Sequence, residues 1–236
     1  MAINQAHRAA GHESPTAAAL VRTLLAGIRR AKGTAPGAKA ATLIEDIRGM
    51  VAALPAGLLG KRDRALLLVG FAGAFRRSEL VGLDREDLQF TRDGLVLTLR
   101  RSKTDQEGQH RKVAVPYGSS PETCPVRALQ AWLDAVGGST GIVFRRLNRH
   151  GHILPGRLSD KAVARAVKTY AAAAGLDAAN YSGHSLRAGL ATSAAIGGAS
   201  ERSIMAQTGH RSTTMVRRYI REGSLFRENA AARVGL

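Results

Sequence analysis

Five short parts of the sequence carry side chains suited to chemistry at a phosphate group: residues 76–79, Lys103, residues 183–187, residues 208–210 and Tyr219. Arginine presents planar pairs of hydrogen-bond donors to an anion, and histidine can move a proton near neutral pH. A tyrosine hydroxyl has an ordinary pKa of about 10, so it is a nucleophile at neutral pH only where a base and fixed positive charge assist it.

The spacing within these parts supports this interpretation. Arg76 and Glu79 directly follow an apolar helical run, so a guanidinium there can reach an anion in a partly dry site. His184 and Arg187 are three residues apart and share one helical face near a predicted helix N-terminus, where phosphate is favoured. Tyr219 comes nine residues after His210, in a segment rich in arginine.

Each part also has an ordinary structural explanation when it is taken alone. Arg76 and Glu79 suit a surface ion pair, and a lysine in a hairpin turn usually serves solubility. A histidine beside a surface arginine suits a helix cap, and a tyrosine late in a helix is most often a core or interface residue. The functional interpretation therefore depends on the combination.

Most of the chain is predicted to be helical. Ser14 suits an N-cap and Pro15 a first helical position, and an apolar helical face runs from Leu20 to Ile28. Basic residues follow up to Lys32, and Gly33 ends the helix. Residues 33–40 have the composition of a linker. The later predicted helices span residues 42–53, 61–75, 77–82, 121–136, 159–174, 185–196, 200–208 and 212–220, and an amphipathic tail runs from 224 to 236.

One region has the alternation of a β-strand. Every second residue over 95–99 is leucine, a polar turn follows over 103–110, and residues 112–116 return. We therefore predict a mixed, mainly α fold with a small antiparallel β-sheet of about three strands that ends near Pro116. A large parallel sheet would contradict this prediction.

The bulk composition narrows the class of partner. Lys and Arg total 35 and Asp and Glu total 18, a formal net charge of +17, which favours polyanions and makes binding to them salt-dependent. Composition alone does not show whether that partner is nucleic acid or an anionic membrane surface, or whether the protein is merely basic.

The single cysteine, Cys124, excludes an intrachain disulfide. The longest apolar run, residues 65–75, is too short to span a bilayer, and we expect a cytoplasmic protein without a secretory signal.

Metal and nucleotide sites are not expected. His150 and His152 form a candidate ligand pair, but with one cysteine and no second cluster a loop is the better interpretation. The sequence has no glycine-rich phosphate loop that ends in Lys-Ser or Lys-Thr. We therefore expect no cofactor.

In their order and context, the parts named above resemble the signature of the tyrosine site-specific recombinases, the phage integrase family. The matching strings are GAFRRSELVGL, RSKTDQEGQHRKVAVP, YSGHSLRAGLATSAA and MAQTGHRSTTMVRRY, within about residues 40–236. The resemblance implies the fold of tyrosine recombinase and type IB topoisomerase catalytic domains. It also implies an enzyme that cleaves and rejoins DNA through a 3′-phosphotyrosyl intermediate, without metal or ATP.

The resemblance implies a role for each catalytic residue. Tyr219 would attack phosphorus, and Arg76 and Arg187 would stabilise the negative charge on the phosphate oxygens. His184 would be the base or a hydrogen-bonding partner, and His210 a donor to the phosphate.

The remaining assignments concern the leaving group and the DNA. Lys103 in the turn, and not Lys112 in the returning strand, would protonate the departing 5′-oxygen. Glu79 would orient the histidines or arginines. The expected DNA-binding residues are Arg77, Arg101, Arg211, Arg217 and Arg218.

The resemblance also predicts the domain organisation and the partners. Residues 1–36 would be the end of the family's core-binding domain plus a linker, and residues 37–236 the catalytic domain. With most of the core-binding domain absent, binding to double-stranded DNA should be weak unless a full-length homologue supplies it. The tail from Ser224 would help four protomers assemble on DNA. Thr208 departs from the family, which often has an apolar residue there, and we expect no consequence.

Two other functions share part of this pattern. A type IB topoisomerase has the same residue set and would relax DNA without exchanging partners. A non-catalytic DNA-binding remnant of a mobile element would bind without cutting. The sequence indicates neither the DNA site nor whether the reaction integrates, excises or resolves dimers.

Overall fold

The computed structural model describes residues 2–33, 39–100, 111–210, 212–223 and 234. The chain divides into two compact units, Met1–Ala38 and Lys39–Leu236. In the described part of the chain, no helix is both long enough and apolar enough to cross a membrane.

The first unit differs from the single helix predicted from Ser14. It contains helix α1 (Ala2–Ala9), which the sequence analysis missed, a 3₁₀ turn (Pro15–Ala17) and helix α2 (Ala19–Lys32). Ser14 caps the 3₁₀ turn, with its side chain accepting a hydrogen bond from the backbone N–H of Thr16 at 3.3 Å. The extended backbone of Ala18 separates this turn from α2, so the capping residues were identified correctly but assigned to the wrong element.

The second unit is mainly helical. Each helix predicted between residues 42 and 220 is present, two of them with the predicted ends (77–82 and 185–196) and the others with shifted ends, and the predicted tail of residues 224–236 lies outside the described residues apart from residue 234. The segment before α6 forms a separate 3₁₀ turn (Pro121–Thr123) instead of the start of that helix. The helices are α3 (Ile44–Ala52), α4 (Gly57–Ala72), α5 (Arg77–Gly82), α6 (Pro125–Val136), α7 (Asp160–Ala173), α8 (Ser185–Ile196), α9 (Glu201–Thr208) and α10 (Thr213–Gly223).

The predicted antiparallel sheet is confirmed. Strands β1 (Leu88–Thr91), β2 (Gly94–Leu99) and β3 (Arg111–Pro116) pair in that order, and each pair is antiparallel. The leucines of β2 are buried, as the alternation predicts. The polar turn of residues 103–110 lies outside the described residues.

A second sheet was not predicted. Strands β4 (Arg145–Leu147) and β5 (Ile153–Arg157) form an antiparallel pair with a bulge at residues 145–146. His150 and His152 lie in the connecting loop, where Asn148 accepts hydrogen bonds from both of their backbone N–H groups. Within the described ranges, no group of three or more metal-binding side chains occurs.

Helix α4 is at the centre of the main core. Its residues 65–69 (ALLLV) are all buried, so the helix is enclosed on every side and carries no polar face there. Trp132 of α6 is fully buried in the same core, and its indole N–H donates to the carbonyl of Val143 at 2.9 Å. This packing fixes the C-terminal end of α4, which leads directly into Arg76.

A smaller cluster joins α8, α9 and α10. Ala188, Ala191 and Ala195 of α8, here called the alanine seam, pack with a group of larger residues. Those residues are Ile204 of α9 and Val216 and Tyr219 of α10. The helix that carries Tyr219 is thereby held beside the helix that begins after His184.

We predict that Gly189→Ala destabilises the protein. A Cβ atom at Gly189 would lie 1.9 Å from the carbonyl oxygen of Thr42, and the N–H of Thr42 donates to Ser185 of the same helix. Because backbone must move, we expect a loss of about 1–3 kcal/mol in the free energy of unfolding. Urea denaturation measures this loss. Gly82→Ala, where an added Cβ meets nothing within 4 Å, is the control, and equal stability of the two variants would contradict the prediction.

Candidate active site

Arg76 is positioned by the junction between α4 and α5. Its backbone N–H donates to Oε2 of Glu79 at 2.9 Å, which caps the N-terminus of α5, and its guanidinium pairs with Oε1 of the same carboxylate. The Glu79 side chain is buried, whereas a quarter of the Arg76 side chain stays exposed. Glu79 therefore holds the Arg76 guanidinium in place, and the resemblance to the family implies that Glu79 orients the histidines or the arginines.

Arg187 is fully buried in the first turn of α8. Its Nη1 donates to the carbonyl oxygen of Ala74 at 2.6 Å, and its Nη2 is buried without a hydrogen-bond partner among the described residues. Ala74 has a φ of 49°, a left-handed conformation that is uncommon for alanine. The contact therefore joins α8 to a strained residue at the end of α4 and leaves one donor for an anion.

Tyr219 and His184 meet across α8 and α10. The Tyr219 hydroxyl oxygen lies 3.3 Å from Nε2 of His184, the N-cap residue of α8. The Tyr219 side chain is largely buried against the alanine seam. This pairing brings together the nucleophile and the base that the sequence predicted.

His210 follows α9 and faces the same tyrosine. The ring centroids of His210 and Tyr219 are 6.0 Å apart, and Nδ1 of His210 lies 2.7 Å from the hydroxyl oxygen of Thr208. Gly209 between them has a φ of 65°, which favours glycine, and it ends α9. The sequence analysis expected no consequence of Thr208, and the structure shows that it contacts a candidate catalytic histidine.

Arg111 is a site residue that the sequence analysis missed. Its Nη1 donates to the carbonyl of Gln207 at 3.0 Å, and within the part of the chain that the structure describes its Nη2 is buried without a hydrogen-bond partner. A Cβ atom at Gly209 would lie 2.8 Å from this guanidinium, so residue 209 must also be small. Only the position of Arg111 beside the predicted lysine turn could have indicated it.

The arginines set the electrostatics of the site. Burial lowers the pKa of Arg187 to about 10, with the nearby charge of Arg76 acting in the same direction. Burial likewise lowers the pKa of Arg111, and Glu79 opposes that shift. Each of these groups is still charged at neutral pH. Three guanidinium groups thus face one carboxylate among the described residues, which leaves an excess of positive charge suited to an anion.

The same surroundings keep both histidines neutral. Burial, followed by Arg187 and Arg76, lowers the pKa of His210 to about 4. Partial burial and the same two arginines, with Arg77, lower the pKa of His184. A neutral imidazole has one nitrogen that can accept a proton. The site therefore pairs fixed cations with two histidines able to act as acceptors at neutral pH.

The other tyrosines have different surroundings. Tyr170 donates to Asp63 at 2.8 Å and Tyr181 to Asp46 at 3.2 Å, and burial together with those carboxylates raises the pKa of both phenols. Tyr117 is exposed at the end of the main sheet. Tyr219 is thus the tyrosine of the four that faces both the histidines and the arginines.

The other predicted residues fall into two groups. Lys103, Arg101 and Arg211 lie outside the described residues. Arg77 borders a cleft of about 250 Å³ that is also lined by Arg76 and His184, and it pairs loosely with Asp160 at 3.6 Å. The two remaining arginines lie on α10, where Arg217 pairs with Glu201 of α9 at 3.0 Å and Arg218 is half-buried.

Sequence comparison identifies relatives over most of the chain. The model of the phage integrase family matches residues 43–224. The integrase/recombinase xerD homolog of Selenomonas ruminantium is 44% identical over 99% of this chain and 70% of its own length. The tyrosine recombinase XerC of Myxococcus xanthus is 31% identical over 69% of this chain and 51% of its own length. The chain thus spans only about half of that recombinase.

Structure comparison agrees with the sequence matches. The site-specific recombinase XerH, in a post-cleavage complex with palindromic difH substrate, superposes with a TM-score of 0.62 at 18% identity, over 82% of this chain and 53% of XerH. The XerA recombinase gives a TM-score of 0.61 at 19% identity, over 83% of this chain and 65% of XerA. The fold is that of a tyrosine recombinase catalytic domain. The chain belongs to the phage integrase family, whose tyrosine recombinases break and rejoin DNA.

We predict that His210 makes the folded state sensitive to acid. Its pKa falls from 6.5 to about 4 on folding, so the unfolded chain binds the proton more tightly, and stability is lost as the pH falls from about 6.5 to about 4. Because the ring is only half-buried, we expect about 1–2 kcal/mol instead of the full value of the shift.

Urea unfolding at pH 7, 5.5 and 4.5 measures this effect. His210→Gln should lose less stability on acidification than the unmodified protein. His150→Gln, in the exposed loop between β4 and β5, controls for the loss of a surface histidine. Equal pH dependence in the His210→Gln variant and the unmodified protein would contradict the prediction.

Proposed function

We propose that this chain cleaves and rejoins DNA strands at specific sites, with Tyr219 forming a 3′-phosphotyrosyl bond. The single observation that carries the proposal is the Tyr219 hydroxyl, which lies 3.3 Å from Nε2 of His184 in a site whose buried arginine has an unpartnered nitrogen. The family to which the chain belongs supports the same chemistry. Attack by Tyr219 on phosphorus forms the O–P bond and breaks the bond to the departing 5′-oxygen.

The arginines provide the stabilisation of the transition state. Attack on a phosphodiester increases negative charge on its non-bridging oxygens, and fixed donors there lower the barrier more than they strengthen substrate binding. Arg76 and Arg187 are the pair that the sequence predicted, and Arg111 adds a third guanidinium with a buried, unpartnered Nη2. These groups can do this at neutral pH without a metal ion.

Proton transfer is assigned to three groups. His184, neutral at pH 7, accepts the Tyr219 proton at Nε2 when its own proton is on Nδ1. His210 donates to the phosphate. Lys103 protonates the departing 5′-oxygen, an assignment that rests on the resemblance of the strand–turn–strand segment to the family.

DNA is the proposed partner on the basis of charge and of similar structures. The formal charge of +17 favours a polyanion, and the similar XerH structure contains its difH substrate. We also propose that four protomers assemble on two DNA duplexes, with the tail from Ser224 contributing in trans. A full-length homologue is a further proposed partner, as a source of core-binding contacts to DNA.

We predict that Tyr219→Phe abolishes a covalent adduct with DNA. The test uses nicked duplexes of randomised sequence, whose short 5′-OH product diffuses away and blocks religation, and recovers DNA that stays attached in denaturant. Tyr219→Phe should leave no attached DNA. Tyr117→Phe, an exposed tyrosine, should behave like the unmodified chain. Arg187→Ala should reduce adduct formation by roughly 100-fold or more, because a donor to the developing charge is lost.

The outcomes of this experiment separate the alternative functions. An adduct that persists in Tyr219→Phe, mapped to another residue, would overturn the proposal. If the chain alone gives no adduct, it is fused to the part of the Selenomonas relative that lies outside the match. Absence of an adduct from that fusion as well indicates a non-catalytic DNA-binding protein. An adduct accompanied by relaxation of supercoiled DNA without strand exchange indicates a topoisomerase.

We predict that Lys103, and not Lys112, is the general acid. A substrate with sulfur in place of the 5′-bridging oxygen has a leaving group that needs no proton. This substrate should restore adduct formation by Lys103→Ala to near the level of the unmodified chain, and it should not restore Arg76→Ala. Selective rescue of Lys112→Ala would show that the assignment is wrong.

A further inference from the structure

The hydroxyl group of Thr208 makes two short hydrogen bonds at the edge of the candidate site. Its oxygen lies 2.7 Å from the carbonyl oxygen of Ile204 and 2.7 Å from Nδ1 of His210, and the residue is fully buried. A carbonyl carries no proton, so the hydroxyl must donate to Ile204. Its oxygen then accepts from His210, which requires a proton on Nδ1.

The other tautomer of His210, with Nδ1 unprotonated, forms fewer hydrogen bonds with Thr208. If the Thr208 hydroxyl donated to an unprotonated Nδ1 of His210, it would no longer donate to the carbonyl oxygen of Ile204. His210 would then carry no proton on Nδ1 with which to donate to the hydroxyl oxygen. One bond would then replace two at a position without access to water, where a lost hydrogen bond is not replaced by solvent. The neutral ring is therefore held with its proton on Nδ1 and a lone pair on Nε2.

Positive groups from several elements face this ring and disfavour its protonation. Burial is the largest cause, and together with these groups it lowers the pKa of His210 to about 4 in the DNA-free protein. Among the residues that the structure describes, the charged and titratable groups facing His210 are Arg76 before α5, Arg111 of β3, His184 and Arg187 of α8, and Tyr219 of α10.

We propose that Thr208 is a positioning residue that fixes His210 in the Nδ1–H form, so that His210 must take up a proton at Nε2 from solvent before it can donate to a phosphate. The tautomer of His210 is a property of the protein without DNA. The uptake of a proton at Nε2 rests on the proposed function, in which His210 donates to the scissile phosphate. A bound phosphate favours the added proton because it accepts a charge-assisted hydrogen bond from it.

The first experiment measures the tautomer without any activity. In protein labelled with ¹⁵N-histidine and free of DNA, nitrogen shifts at pH 7.5 separate protonated from unprotonated ring nitrogens, and His210→Gln identifies the signals. We expect Nδ1–H with unprotonated Nε2 in the unmodified protein and in Thr208→Ser, which keeps the hydroxyl. In Thr208→Val, which keeps the shape, we expect the Nε2–H form to gain population.

Two results of this experiment would overturn the proposal. One is an unmodified protein whose His210 carries its proton on Nε2. The other is a Thr208→Val protein that keeps the Nδ1–H form unchanged. Because Val is nearly isosteric with Thr and Ser retains the hydroxyl, a folded protein is expected from at least one variant, and the unmodified protein alone already tests the tautomer.

The second experiment measures the rate of adduct formation on the captured duplex between pH 6 and pH 9. The ratio of the unmodified rate to the Thr208→Val rate cancels ionisations that the two proteins share. We expect this ratio to fall about tenfold per pH unit above the pKa of His210 in the DNA complex, because the variant can donate from a neutral Nε2–H. Thr208→Ser should follow the unmodified protein.

A ratio that does not change with pH would refute proton uptake while leaving the tautomer result intact. Absence of any adduct from the unmodified protein and from its fusion would count against the proposed function instead. The nitrogen shifts would still decide the role of Thr208. Failure of the proposed function and failure of the Thr208 proposal therefore give different results.

Discussion

The candidate site depends on a guanidinium that is buried although it keeps its charge. Nη1 of Arg187 donates a hydrogen bond to the carbonyl of Ala74, and this bond connects the first turn of α8 to the segment that follows α4. The left-handed backbone of Ala74, a conformation that costs about 1–3 kcal/mol, lies just before Arg76 and turns the chain into α5. One contact thus sets the relative positions of both predicted arginines, and it leaves the second nitrogen of Arg187 for an anion.

The same concentration of charge has two chemical effects. It suits an anion, and, after burial, it is the second cause of the lowered pKa values of His184 and His210. The buried carboxylate of Glu79 pairs with Arg76 and does not contact either histidine through a hydrogen bond in the described structure. In the proposed reaction, anion binding and proton transfer would be coupled through electrostatics, because a bound phosphate would offset the arginine charges that, together with burial, lower the histidine pKa values.

The sequence predicted what is local and missed what depends on distant partners. Helical periodicity located α4 and α8, and alternation located β2, because these patterns arise from burial of one face. Strands β4 and β5 were missed because they are short, rich in arginine and interrupted by a bulge, so little alternation remains. Arg111 was missed because its partner carbonyl, that of Gln207, lies 96 residues away. Thr208 was passed over as a departure from a family pattern, since sequence alone does not show which atom its hydroxyl meets.

The alanine seam also sets how close α10 lies to α8. Each alanine offers a single methyl group, so the two helices approach closely, and a Cβ atom at Gly223 of α10 would lie 2.8 Å from the carbonyl oxygen of Thr192 of α8. A larger side chain in the seam would force the two backbones apart, because close-packed elements accommodate added volume only by moving. The methyl groups therefore act as a spacer, and their size sets the distance over which the Tyr219 hydroxyl reaches Nε2 of His184.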